Sequence, residues 1–102
     1  MPRKSWIIRL ESGAWIEIER DTVAGKIVSF RVVMLMEIEG TGYCIARHDT
    51  AHGFAHRDVL GRTEGLRGKL PSPMLNYNQA FRYAVRDIQH NADHYLADFL
   101  AH

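Results

Sequence analysis

The sequence holds one cysteine, Cys44, so no internal disulfide can form and a cysteine-rich structural zinc site lacks its ligands. Cys44 lies in an apolar run and reads as a small buried hydrophobe. Long apolar runs are also lacking. None approaches the roughly 20 residues that span a bilayer, and nothing of signal-peptide kind follows Met1-Pro2-Arg3-Lys4. A cytoplasmic location without membrane association is therefore expected. Charge of one sign is missing too: 13 basic and 12 acidic residues leave +1, which names no partner. No glycine-rich phosphate loop, Gly-x-Ser-x-Gly elbow or Cys-x-x-Cys pair occurs, so nucleotide-dependent transfer and serine hydrolysis lose support. Neither a helix-turn-helix pattern nor a strongly basic stripe marks a standard nucleic-acid reader.

What the chain has is a sharp change of periodicity. At 102 residues and 46% hydrophobic it suffices for a single domain with its own core, residues 1–102. Alternating apolar and polar residues predict strands at Ser5–Leu10, Ala14–Arg20, Lys26–Glu39 and Tyr43–His48, with Val28, Phe30, Val32, Met34, Met36 and Ile38 sharing the covered face of the third. Turns are expected at Glu11–Gly13, Asp21–Gly25 and Glu39–Gly42. From Asp49 to Leu70 no periodicity persists, apart from a short strand expected near Arg57–Leu60. The sheet thus occupies about residues 5–60 and a loop about 61–72. Ser72 or Asn76 can cap a helix over about 74–101, where Tyr77, Phe81, Ala84, Ile88, Ala92, Tyr95 and Phe99 form one stripe, with a break expected near Asn91. The fold class is α+β: an antiparallel sheet of four to five strands with one long C-terminal helix packed across one face.

The candidate chemistry concentrates in Arg47-His-Asp-Thr-Ala-His-Gly-Phe-Ala-His-Arg-Asp58, which holds three of the six histidines. His48, His52 and His56 are spaced four and four, but Gly53 and the incoming strand argue against a helix that would gather them on one metal. No metal and no cofactor are expected. Acid/base cleavage of a phosphodiester suits the residue types better. Histidines accept and donate the proton, Arg47 and Arg57 bind phosphate oxygens, and Asp49 or Asp58 orients an imidazole. On the helix, Tyr83, Asp87, His90 and His94 line one flank, which reads most simply as a solvated face.

The string Ala46-Arg-His-Asp-Thr-Ala-His-Gly-Phe-Ala-His-Arg-Asp-Val-Leu-Gly61 resembles a family of small uncharacterised prokaryotic proteins. There an aromatic-Asp-Thr-Ala-His-Gly run precedes His-Arg-Asp and a leucine. The segments Ser29–Val33 and Asp87–Asn91, with Tyr95 and Phe99, look like that family as well. More distantly the chain is similar to the TumE-like toxins of toxin-antitoxin pairs. The resemblance implies a sheet-plus-helix fold, an RNA substrate and an antitoxin protein partner. Because the family has an aromatic residue where this chain has His48, it moves the catalytic assignment to Asp49, His52, His56 and Asp58. His52 and His56 then share the acid and base roles, and Arg47 and Arg57 bind phosphate. The alternative is a non-catalytic binding or assembly module that forms a homodimer through Val33 and Leu35 or the helix flank.

Overall fold

Six strands follow one another in the computed structural model, which describes residues 2–102. They are β1 (Arg3–Arg9), β2 (Trp15–Val23), β3 (Lys26–Ile38), β4 (Thr41–Asp49), β5 (His56–Gly61) and β6 (Gly65–Pro71), and helix α1 (Tyr77–Ala101) comes last. Each strand pairs antiparallel with the next, giving one sheet in the order β1 to β6. Two of the connections are two-residue hairpin turns, Ala24-Gly25 and Glu39-Gly40. Both residues of each turn have positive φ, a conformation that matches the twist of the strands and that glycine adopts freely.

Alternation puts one side chain of every two against the helix. Ile18 faces Val32, and Ile16 faces Met34 across β2 and β3, and all four are buried with Phe30, Ala46, Phe81, Ala84, Ile88 and Phe99. A bulge corrects the expected β3 pattern. Asp21 pairs with Ser29 and Thr22 with Ile27, so Val28 is the extra residue and points to solvent while Ile27 takes the buried place. Val33, expected on an exposed dimerising face, is also fully buried, but on the side of the sheet away from the helix. It cannot contribute surface to a dimer.

The sheet has six strands rather than four or five. The expected short strand is β5, and β6 runs through the segment expected to be loop. Its sequence, Gly-Leu-Arg-Gly-Lys-Leu-Pro, carries no alternation because an edge strand with both faces largely open buries nothing that would impose one.

Asn76 caps the helix, its side chain accepting from the amide of Gln79. The Asn78 side chain meanwhile accepts from the Ile27 amide of the β2–β3 hairpin. The helix kinks at Asn91, whose side-chain amide donates to the Asp87 carbonyl four residues back. At its far end the Phe99 and His102 carbonyls receive the amides of Arg62, Thr63 and Glu64 from the β5–β6 turn. No helix among the described residues is long and apolar enough to cross a membrane.

That far-end clamp needs a glycine at position 61, because a Cβ there would stand 2.9 Å from the backbone of His102. Gly61→Ala should lower stability by roughly 1–3 kcal/mol through this steric conflict alone. Urea unfolding of the two proteins measures it, and an unchanged midpoint would contradict the clamp.

Candidate functional site

β4 and β5 pair over three positions: Arg47 with Asp58, His48 with Arg57, and Asp49 with His56. Successive strand residues point to opposite faces, so the motif is divided in two. Arg47, Asp49, His56 and Asp58 lie on the face away from the helix, whereas His48 and Arg57 lie beneath it. His52 joins neither group. It occupies the short 3-10 turn Ala51–Gly53 in a left-handed conformation, φ 67°, with its ring exposed.

On the open face, His56 and Asp58 are each 1% exposed. The His56 ring is fixed by its Nδ1, 2.9 Å from the Phe54 carbonyl, which assigns the proton to that nitrogen. Its Nε2 then faces Asp49 Oδ1 at 3.1 Å and Asp58 Oδ1 at 3.4 Å. Arg47 donates through Nε to Asp58 Oδ2 at 2.7 Å. Lys69 on β6, the register partner of Asp58, donates to Asp58 Oδ1 at 2.7 Å. Burial alone would push the Asp58 carboxyl up, but the hydrogen bonds from Lys69 and Arg47 outweigh it and hold the carboxyl below its usual range. The same two donors explain how a carboxylate can be this deeply buried. Lys69 could be found only by recognising β6, which the sequence pattern does not reveal.

On the helix face, His48 is buried, and its Nε2 meets Asp87 Oδ2 at 2.8 Å. Asp87 also accepts from the Tyr95 hydroxyl at 2.6 Å and from Asn91 at 3.0 Å. These bonds overcome the desolvation that would raise the Asp87 carboxyl and keep it below its usual range. Burial and the bond to Asp87 push the Tyr95 phenol far up, so it stays a donor. Arg57 stacks on the Tyr95 ring at 4.8 Å, and no carboxylate pairs with it among the described residues. A cleft of about 290 Å³ opens here, lined by His48, Arg57, Ser72, Tyr83 and Tyr95. Asp87 engages Nε2, and no group among the described residues bonds Nδ1, which leaves that nitrogen of His48 to the cleft.

His48 and Asp87 are thus functional candidates that the sequence does not single out, since His48 departs from the family motif and Asp87 falls on a flank that reads as solvated. His90 and His94 of that flank are exposed. Cys44 offers no nucleophile, since burial pushes its thiol up.

The open-face network makes a prediction about acid. Because the folded Asp58 carboxyl titrates below its unfolded value, its stabilising effect is complete above about pH 4 and is lost as pH falls through the lowered value. Asp58→Asn should cost about 1–3 kcal/mol at neutral pH, and the gap to wild type should close on acidification below about pH 4. Denaturant midpoints from pH 7 to pH 2 measure both proteins, and a gap independent of pH would refute the assignment.

No curated protein and no solved structure matches the chain. One family model, described as a domain of unknown function (DUF7718), matches residues 1–102, and the chain belongs to that family.

Proposed function

We propose that the protein is a toxin-like, metal-independent ribonuclease whose reacting groups lie in the cleft beneath α1 rather than around His52 and His56. The observation that carries this reading is the shared cleft of an aspartate-braced imidazole, His48 with Asp87, and an arginine, Arg57, that has no carboxylate partner among the described residues. An imidazole that presents Nε2–H to Asp87 keeps a lone pair on Nδ1 in the orientation a general base requires. Arg57, held flat against Tyr95, offers its guanidinium to phosphate oxygens. Nδ1 of His48 accepts the proton of the attacking 2′-hydroxyl, the new P–O bond forms as the P–O5′ bond breaks, and the leaving oxygen takes a proton from solvent. Asp87 stabilises the imidazolium formed, and Arg57 neutralises charge building on the phosphate. The likeness to TumE-like toxins supports RNA as substrate and a neutralising antitoxin as partner.

A second reading rests on a different observation. The sheet ends in two unpaired edges, and β6 exposes Leu66 and Leu70 by 54% and 50%. A second copy adding its own edge strand would cover them and make a homodimeric binding module.

Purified wild type should cleave single-stranded RNA in the presence of EDTA, with His48→Ala slower by about 100-fold or more and Arg57→Lys also impaired. His94→Ala, on the exposed flank, should match wild type. Induced expression should arrest growth only for the active forms. Absence of cleavage by wild type, or equal cleavage by His48→Ala, would remove the ribonuclease and leave the dimeric module, which sedimentation tests directly.

A further inference from the structure

The opposite face of the same strand pair holds an arrangement that the cleft does not use. We propose that Asp49, His56 and Asp58 form a binding site for a divalent transition-metal ion, with Lys69 acting as a tethered cation that occupies the position until the ion displaces it.

Geometry is the first argument. Two ligands about 2.1 Å from one ion, at angles between square and tetrahedral, stand about 3.0–3.4 Å apart. The two distances from His56 Nε2, 3.1 Å to Asp49 Oδ1 and 3.4 Å to Asp58 Oδ1, fall at that spacing, and the three ligand atoms all lie within 4.8 Å of one another. An ion can therefore meet the imidazole and either carboxylate without backbone movement, and a small side-chain rotation brings in the third.

The orientation of each ligand is the second. The His56 Nδ1 proton is committed to the Phe54 carbonyl, so Nε2 is the nitrogen left to face the two carboxylate oxygens. An imidazole nitrogen and two carboxylate oxygens that converge at these distances call for a proton or a cation between them. Lys69 Nζ meets that need in part, 2.7 Å from Asp58 Oδ1 and 3.4 Å from Nε2. Groups outside the three ligands hold them in place. Arg47 takes Asp58 Oδ2, leaving Oδ1 toward His56, and the Ala51 amide donates to Asp49 Oδ1 at 2.9 Å. One imidazole with two carboxylates suits zinc, cobalt, manganese or ferrous iron better than magnesium or calcium. The Lys69 stem is long, flexible and open to solvent, so its head can leave. No cysteine and none of the other histidines belongs to this site.

The test titrates the full chain with Zn²⁺, Co²⁺ and Mn²⁺ separately by calorimetry and follows the visible spectrum with Co²⁺. Wild type should bind one ion per chain. Lys69→Met should bind at least 10-fold more tightly because the competing ammonium is gone, and Asp49→Asn at least 10-fold more weakly. His56→Gln should lose the Co²⁺ spectrum, with circular dichroism checking that it folds; should it unfold, the Lys69→Met comparison decides. No binding of any of the three ions by wild type, unchanged affinity in Lys69→Met, or an unchanged Co²⁺ spectrum in folded His56→Gln overturns the proposal. These readouts do not involve RNA, so they stand apart from the ribonuclease reading.

Discussion

Three residue pairs between β4 and β5 divide the candidate groups of these two strands between the faces of the sheet. Because the pleat alternates, Arg47 and Asp49 must share a face with His56 and Asp58, and His48 must share the other with Arg57. A shift of one residue in this register would exchange the two sets, moving a buried carboxylate under the helix and an arginine off it. Turns and edges guard that register. The Thr50 hydroxyl accepts from the Phe30 amide at the end of β4, and the Ser72 amide donates to the Ala55 carbonyl just before β5. The motif is compact in sequence because one strand, a tight turn and the next strand suffice to build both faces.

The helix face raises a question of energetics. His48, Asp87 and Tyr95 form a polar group within an interface that is otherwise Ile88, Ala84, Ala92 and Phe99. A charge-assisted hydrogen bond contributes only about 1.5–3 kcal/mol once desolvation is included. A well-packed apolar pair in the same place is commonly neutral or stabilising. Stability therefore does not account for an aspartate held by three donors beside a histidine that opens on a cleft. Asn91 adds to this, because its bonds to the Asp87 carboxylate and carbonyl accompany the departure from helical geometry at that position.

The legible parts of the molecule were those whose burial imposes a period. The first four strands, the helix with its Asn76 cap and the Asn91 break all carry such patterns, since each has one face in the core. β6 has no covered face and carries no pattern, so nothing in the sequence marks Lys69 or its pairing with Asp58. Bulges were equally silent. One extra residue at Val28 inverts which neighbour is buried, and nothing local in the sequence signals it. For the candidate site, residue types single out one stretch of twelve residues but do not divide it. Reading the stretch as two paired strands would have separated His48 and Arg57 from the rest, and would have shown that His56 and Arg57, adjacent in sequence, cannot act together.

The two cations around Asp58 differ in a way that orders the open face. Arg47 reaches Asp58 Oδ2 with a planar, pre-oriented fork and also lies 3.6 Å from Asp49, so it ties both carboxylates to β4. Lys69 holds Asp58 through a single mobile ammonium at the end of a flexible stem, and that stem stands on the edge strand. Removing Arg47 would free the carboxylates to move, whereas moving the Lys69 head leaves them in place and exposes His56 Nε2 between them. The two acids are thus fixed from the centre of the sheet and closed from its edge. Access to this face is consequently governed at β6, where no further strand follows, while the cleft under α1 is framed by the helix and the Pro71–Pro73 segment. The strand pair that the two faces share stands between them.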